Sequence, residues 1–368
     1  MPTEATGLEH LTPVRVHATT ATERASFRRC HRQWFLSVVH HLESFGGSTN
    51  LWLGTIVHSG LQAYYEYLRD HGMDDTTEAK QHALDAYETV YGESIVELKR
   101  RLGIAWDNAS QQYYDLGELG FGMLDGYFDR EVSDPIVDEI VDVERRVFVP
   151  IRRTPETRKL GTLSVRTDLV GRRAGVLVTV DHKTASRDFS DAQLDLDDQL
   201  TAEVYATWVD SGEFPDEAYY NALFKKVPGP PKRLKDGKGG VPRLSTDKTQ
   251  STTYALYLAE LKSLGLSPAD YAEFLDYLND QESSEESPFY RRVGVIRTPQ
   301  QMASFEVNLF YEFMDMRRVA AHPETAYPNP TPLNCASCPV KLVCLTMSDD
   351  GDVESIIKAD YVVADPRA

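Results

Sequence analysis

Apolar side chains recur every three or four residues early in the chain, which is the period of an amphipathic helix. The clearest case lies at about residues 52 to 70, and this predicted helix carries His58. Two further helical patterns follow, near 77 to 101 and near 110 to 131. This part of the chain is therefore predicted to be helical.

The pattern changes at Ile140 to short β-branched runs separated by Arg, Gly and Pro. These runs lie at 140–149, 160–170 and 176–180. Residues of this type between turn-forming residues favour strands. Three successive strands are therefore predicted.

Beyond them, the periodicity alternates again between helix and strand. The predicted elements are a helix at 196–208, a strand at 217–224, helices near 251–264 and 268–281, a strand at 289–297 and a helix at 300–321. An acidic, Ser-rich stretch at 281–287 is predicted to be a surface turn. This order is typical of an α/β protein in which helices flank a mixed sheet.

The composition permits a large core: 41% of the 368 residues are hydrophobic and 26% are charged. We expect one integrated domain with an N-terminal segment (1–50), a central core with helical insertions (51–330) and a C-terminal segment (331–368). No run approaches the roughly 20 apolar residues of a membrane helix. Residues 1–20 lack the basic start and apolar run of a secretory signal, so a cytoplasmic protein without membrane contact is expected.

The net charge of -18 argues against a nucleic-acid partner, but the basic residues are concentrated locally. We call residues 225–248 the basic segment. It carries eight basic residues against two acidic ones: Lys225, Lys226, Lys232, Arg233, Lys235, Lys238, Arg243 and Lys248. Its Gly and Pro content indicates a long loop. The loop is either a solvated linker or a surface that grips a nucleic-acid strand, and local charge favours the second interpretation.

Cys30 stands alone near the N-terminus, and the other three cysteines follow the spacing C-x2-C-x5-C at Cys335, Cys338 and Cys344. Four thiolates suit a metal centre that joins the two ends of the chain. Zinc sites usually take ligands from two close pairs, and disulfides are disfavoured in a reducing compartment. An iron-sulfur cluster is therefore favoured over zinc and over disulfides.

Acidic residues follow the apolar runs of two predicted strands. Asp168 is expected at the end of one strand, and Asp181 at the end of the next. If the strands form a hairpin, both carboxylates approach one point at an edge of the sheet, where oxygen ligands suit Mg2+ or Mn2+. Strand alternation places Lys183 on the same face as Asp181, where a lysine can orient water and stabilise charge on a phosphate.

These features resemble the RecB-like exonuclease branch of the PD-(D/E)xK nuclease superfamily, which includes iron-sulfur nucleases of the CRISPR-adaptation type and their phage relatives. Five segments carry the resemblance in the family order: Ser26–Leu36 with Cys30, Gly54–His58, Arg166–Val170, Val180–Thr184 and Cys335–Cys344. One departure is Asp181, where many relatives carry Glu.

The resemblance implies roles for single residues. His58, Asp168 and Asp181 would bind the metal, with the His182 carbonyl as a further ligand, and Lys183 would activate water. Gln199 and Tyr205 resemble a trailing Gln and Tyr of the family, although their spacing is looser. Glu144, on the strand before Asp168, is expected to contact the metal ligands without binding the metal itself.

Taken together, the resemblance implies a Mg2+- or Mn2+-dependent DNA exonuclease with a structural 4Fe-4S cluster held by Cys30, Cys335, Cys338 and Cys344. Its substrate would be single-stranded DNA or DNA with free ends. Two alternatives remain open. One is a spacer-processing nuclease that acts with a protein partner in CRISPR adaptation, and the other is a non-catalytic iron-sulfur module that binds nucleic acid.

Overall fold

The computed structural model describes residues 12–45, 47–235, 240–283 and 287–364. The strands, in chain order, are β1 (Ala18–Thr19), β2 (Leu42–Ser44), β3 (Glu139–Ile151), β4 (Gly161–Arg173), β5 (Val176–Ala185), β6 (Glu217–Phe224), β7 (Arg233–Leu234), β8 (Arg243–Leu244), β9 (Tyr290–Val295) and β10 (Tyr361–Val363).

The helices are α1 (Ala21–Arg29), α2 (His31–Trp34), α3 (Thr49–His71), α4 (Thr76–Leu102), α5 (Trp106–Ser133), α6 (Asp191–Asp195), α7 (Asp198–Ser211), α8 (Tyr254–Ser263), α9 (Ala272–Ser283), α10 (Pro299–Ala321), α11 (Pro332–Ala336), α12 (Lys341–Ser348) and α13 (Val353–Asp360). The helices and strands predicted from the periodicity are present, and β6 has the predicted bounds. The prediction of a turn at 281–287 is wrong for residues 281–283, because α9 continues to Ser283; residues 284–286 lie outside the described part of the chain.

The central mixed sheet has the order β1-β4-β5-β6-β9, and β3 pairs with β4 along the opposite edge. The second and third predicted strands do form a hairpin, the condition under which their aspartates were expected to approach each other, since β4 and β5 pair antiparallel. β5 and β6 run parallel, and their connection contains α6 and α7. An α/β fold with a mixed sheet is therefore confirmed.

The sheet opens along one edge of β4. β1 pairs with β4 only at Thr162 and Leu163, whereas β5 pairs with it from Leu169 onward. β3 occupies the other edge of β4 throughout. Residues 164–168 therefore lie in a gap between two neighbouring strands.

Apolar side chains cover both faces of the sheet. On one face, Val147 and Leu163 pack with the N-terminal helices, α7 and α10. On the other face, Leu169 and Val180 pack against α3, α4 and α5. The residues between β6 and β9 form a smaller core of their own around Tyr257 and Leu261.

The two ends of the described chain meet. β10 pairs antiparallel with β2, and Arg32 donates its backbone N–H to the Tyr327 carbonyl at 3.3 Å. In the described residues, no helix combines the length and the apolar character needed to cross a bilayer.

Candidate active site

A cleft of about 670 Å³ lies where the sheet opens. Its walls include Ser164 and Arg166 from the gap on β4, together with Asn50 and His58 from α3. Lys183 reaches it from β5. The cleft therefore forms because β1 and β5 leave the middle of β4 without a neighbour on one side.

His58, Glu144 and Asp168 converge at the base of this cleft. His58 Nδ1 lies 3.6 Å from Asp168 Oδ2 and 3.8 Å from Glu144 Oε1. The potential ligand atoms of the three residues all lie within 4.8 Å of one another. One imidazole nitrogen and two carboxylate oxygens at this spacing fit a divalent cation such as Mg2+ or Mn2+.

Glu144 reaches this group because of the β3–β4 register. Val143 pairs with Leu169 and Arg145 pairs with Thr167, so Glu144 lies opposite Asp168. Glu144 has φ of 49°, in the left-handed region that is strained for a residue with a side chain. Such strain is concentrated at functional sites and costs about 1–3 kcal/mol. The backbone at Glu144 is therefore held in place by the surrounding sheet.

The ionisable groups at the base of the cleft influence one another. Burial alone would lower the pKa of His58, but the hydrogen bond and charge of Glu144 and the charge of Asp168 raise it. Burial raises the pKa of Asp168, although His58 and Lys183 oppose this effect. A cation at this point would stabilise the ionised carboxylates.

Asp181 and Lys183 lie on the same face of β5, as strand alternation predicts. The Lys183 ammonium donates to Asp181 Oδ1 at 2.7 Å, and Gln199 Nε2 donates to the same oxygen at 3.2 Å. Gln199 also donates to Glu203 Oε1 at 3.1 Å. In the described part of the chain, Asp181 Oδ2 and Glu203 Oε2 are buried acceptors without a hydrogen-bond donor. This arrangement leaves carboxylate oxygens available to a cation or to a proton.

Burial and mutual charge set the protonation states of Asp181, Glu203 and Lys183. Burial raises the pKa of Asp181 to about 7, with Lys183 opposing and Asp168 adding to the shift. Burial also raises the pKa of Glu203 well above its usual value. Burial alone would lower the pKa of Lys183, but Asp181, Glu203 and Asp168 raise it. Lys183 is therefore a protonated cation at neutral pH.

The predicted position of the two aspartates within their strands is wrong. Asp168 lies inside β4 and Asp181 lies inside β5, rather than at strand ends on an edge of the sheet. β5 continues through its polar residues because it pairs with β6 as far as Ala185. The two aspartates meet where the β4–β5 pairing ends, and Asp168 Oδ2 accepts the backbone N–H of His182 at 2.8 Å.

His182 belongs to the opposite side of β5 and joins a buried polar chain. Its Nδ1 lies 2.8 Å from Asn221 Nδ2, which also contacts the Tyr127 hydroxyl at 2.8 Å. The His182 ring stacks on Tyr65 with a centroid separation of 5.4 Å. Burial lowers the pKa of His182 well below its usual value, so the ring is neutral. These contacts fix the strand that carries Asp181 and Lys183.

The structure brings His58, Asp168, Asp181, Lys183 and Gln199 to one region, but it places Tyr205 elsewhere. Tyr205 packs against Phe305 of α10 with a ring separation of 5.4 Å, in the core on the other side of α7. Six residues along a helix rotate a side chain by about 240°, so Gln199 and Tyr205 face different directions.

Two carboxylates, those of Glu144 and Glu203, lie closer to the candidate metal site than the sequence analysis indicated. Glu144 lies beside His58 and Asp168 rather than behind them. Glu203 was missed, although it lies four residues after Gln199 on α7, a spacing that places both on one helix face.

The four cysteines lie near one another at the joined chain ends. All four are free thiols of intermediate exposure. Burial raises the pKa of Cys344, Arg32 opposes the shift, and the thiols of Cys30 and Cys335 add to it. Cys338 is affected in the same way by the other three. Four soft ligands in mutual electrostatic contact fit a thiolate-ligated metal centre.

No curated protein is significantly similar in sequence to this chain. The sequence profile described as "PD-(D/E)XK nuclease superfamily" matches residues 18–345, from β1 to the last cysteine helix. This span contains the cleft, its carboxylates and the four cysteines. The chain therefore belongs to the PD-(D/E)XK nuclease superfamily.

Proposed function

We propose that this protein is a metal-dependent DNA exonuclease. His58, Glu144, Asp168 and Asp181 hold Mg2+ or Mn2+, and Lys183 acts on the attacking water. The observation that carries the proposal is the convergence of one imidazole and two carboxylates within 4.8 Å in a cleft beside a lysine. The superfamily to which the chain belongs supports hydrolysis of nucleic acid at this site.

A bound divalent cation would supply Lewis-acid polarisation of the scissile phosphate and a lower pKa for coordinated water. The residues of the chain position the lysine that acts on the water. Asp181 holds the Lys183 ammonium at 2.7 Å, and Gln199 fixes the Asp181 carboxylate from α7. Lys183 thereby presents a donor that orients water and stabilises negative charge on a phosphate oxygen. The His182 carbonyl remains a proposed further ligand.

The exonuclease mode and the preference for single-stranded or end-containing DNA rest on the resemblance of the His58, Asp168 and Asp181 segments to RecB-like exonucleases. The convergence of the acidic and lysine positions weighs against a non-catalytic binding module. A catalytic role for Tyr205 is not part of the proposal, because its ring packs in the core. Cytoplasmic location stays a prediction from the sequence.

The four thiols are proposed to bind a structural 4Fe-4S cluster. The backbone N–H of Asn329 donates to Cys30 Sγ at 3.3 Å, and the Asn329 side chain donates to the Arg29 carbonyl at 3.0 Å. Backbone N–H groups directed at sulfur are a usual feature of cluster sites. The cluster is proposed to be structural, because it would join the N-terminal segment to the C-terminal one.

The basic segment is proposed to contact the DNA backbone. No helix occurs in its described part, where β7 and β8 form a short hairpin. Arg233 pairs with Glu260 at 2.6 Å, so part of its charge is already compensated. Lys238, predicted to contribute, lies outside the described residues. Lys232 and Lys235, next to and within this hairpin region, are exposed and are candidates for phosphate contacts.

The test is cleavage of an end-labelled linear single strand and of a circular strand of the same sequence, with Mn2+ or with EDTA. The proposal predicts Mn2+-dependent degradation of the linear strand and persistence of the circle. Cleavage of the circle would identify an endonuclease. Tight binding without cleavage of either strand, in the presence of Mn2+, would favour the binding module.

A further inference from the structure

A second pocket, of about 510 Å³, lies at the ends of β5 and β6. Four of its lining side chains are cationic and one is acidic. We call this the cationic pocket and define it by Arg187, Lys225, Lys226, Arg291 and Asp188. In a chain with a net charge of -18, four cations around one pocket form a strong local concentration of positive charge.

The cationic pocket adjoins the catalytic cleft. Lys225 donates its backbone N–H to the Ala185 carbonyl at 2.8 Å, which extends the pairing with β5 one residue past the end of β6. Its ammonium donates to Asn50 Oδ1 at 2.6 Å, and Asn50 lines the cleft. Arg187 follows Lys183 by four residues, so their Cα atoms are at most about 14 Å apart. A nucleic-acid strand bound in the cleft can therefore reach the pocket within a few nucleotides.

The cations of the pocket are poorly compensated. In the described part of the chain, Arg187, Lys225 and Lys226 have no salt bridge to a carboxylate, and Arg291 pairs with Asp188, whose side chain is 63% exposed. Burial lowers the pKa of Lys225. An incoming anion would replace the exposed Asp188 carboxylate on Arg291 and would compensate the other three cations.

We propose that the cationic pocket binds one phosphate group of the substrate strand, a few nucleotides from the bond that is cut. The inference rests on the proposed nuclease function, because the strand in the cleft is what brings phosphates to the pocket mouth. Arg offers a fork of donors and Lys a point charge, the combination that binds phosphate oxygens. The group is a diester within the strand or a monoester at its end.

Removal of two pocket cations tests the proposal. Arg187→Ala/Lys226→Ala is compared with Arg100→Ala/Lys358→Ala, which removes one Arg and one Lys from positions whose side chains are each 73% exposed and outside both pockets. Binding of a fluorescent single-stranded oligonucleotide is measured in EDTA at several salt concentrations.

The pocket variant should bind about tenfold more weakly, and its log–log salt slope should fall by about 0.7 for each phosphate that the protein no longer neutralises. The control variant should remain within about twofold of the parent. Equal affinities and equal slopes for the two variants would overturn the proposal.

Neutral methylphosphonate linkages, placed one at a time along the oligonucleotide, then locate the phosphate that the pocket binds. In the parent protein one position should weaken binding about tenfold, and the pocket variant should be insensitive at that same position. Weaker binding on removal of a terminal phosphate alone would identify the monoester as the ligand. Equal sensitivity of parent and variant at every position would contradict the proposal.

Because these measurements involve no turnover, they separate the pocket from the proposed nuclease function. A parent protein that binds with the predicted position dependence but fails to cleave with Mn2+ would contradict the nuclease proposal alone. A parent that cleaves, while the pocket variant binds like the control, would contradict the pocket alone.

Discussion

The cleft and the four-cysteine centre differ in how the fold assembles them. In the cleft, Glu144 and Asp168 come from paired strands and His58 from a long helix packed on the same sheet. The cysteines come from opposite ends of the chain, on or beside short helices with partly exposed thiols. The sheet therefore positions the cleft residues through its own strand pairing and packing, whereas the proposed cysteine centre would depend on its bound ligand for cohesion.

The largest expected effect is on cleavage. Asp168→Asn should reduce the rate by at least a factor on the order of 10³, because it removes a negative ligand whose carboxylate also accepts the His182 N–H. The melting temperature should change little, since the amide oxygen can accept the same hydrogen bond. Asp142→Asn on the adjacent strand, where the carboxylate pairs with Arg145, is the matched control and should keep parental activity.

Cys30→Ser, in protein prepared without oxygen, should instead lose the cluster and lower the melting temperature. Iron, acid-labile sulfide and absorption near roughly 400 nm should disappear. The melting temperature should fall by roughly 10 °C, because the link between distant chain segments is broken. Asp168→Asn serves as the control here and should keep its iron. A colourless parent with one bound zinc would contradict the cluster while leaving the nuclease proposal intact.

The burial of Asp181 in the cleft also predicts two opposite effects on stability: a rise in pH should lower it, and added metal should raise it. Burial raises the folded-state pKa of Asp181 from 3.8 to about 7, so the stability that this group contributes is present at low pH and decreases as pH rises toward 7. In this range, metal-free protein should become less stable by up to about 1.4 kcal/mol for each unit by which pH increases. Mn2+ should stabilise the protein more at pH 8 than at pH 6, and thermal denaturation of the parent and of Asp181→Asn measures both effects. A flat parental profile would contradict this assignment.

The smallest expected effect concerns strain. Glu144→Gly should increase the free energy of unfolding of the metal-free protein by about 1 kcal/mol, because glycine adopts the left-handed conformation without a steric cost. Ala174→Gly is the control, since Ala174 has φ of 50° at an exposed turn away from the cleft. Both variants should gain stability in urea denaturation, but Glu144→Gly alone should lose metal binding. A destabilised Glu144→Gly would mean that its contacts outweigh the strain.

Most of the elements followed from the sequence because their periods were clear, as in α3 and β6. The sequence also placed His58, Asp168, Asp181 and Lys183 in motifs that share one cleft. It gave Glu144 only a supporting position and could not place it beside His58 and Asp168, because that depends on the β3–β4 register and on a positive φ that no residue pattern indicates. Nor could it show that Asp181 lies inside a strand, since the parallel partner β6 is distant in sequence.

Tyr205 is the reverse case, a residue that the sequence analysis assigned to the site and that the structure places outside it. The family resemblance suggested a shared site for Gln199 and Tyr205, but helix geometry turns the two side chains toward different sides of α7. The cationic pocket was only partly visible in the sequence. Lys225 and Lys226 belong to the basic segment, whereas Arg187 and Arg291 join them only through strand order.

The most direct test of the metal centre is a calorimetric Mn2+ titration of the parent and of Glu144→Gln, with cleavage of linear DNA measured on the same preparations. Gln keeps the size of the side chain and removes its charge. The account predicts that Mn2+ affinity falls by about 10- to 100-fold and that cleavage falls with it. Parental affinity and parental cleavage in Glu144→Gln would contradict a metal site built on His58, Glu144 and Asp168.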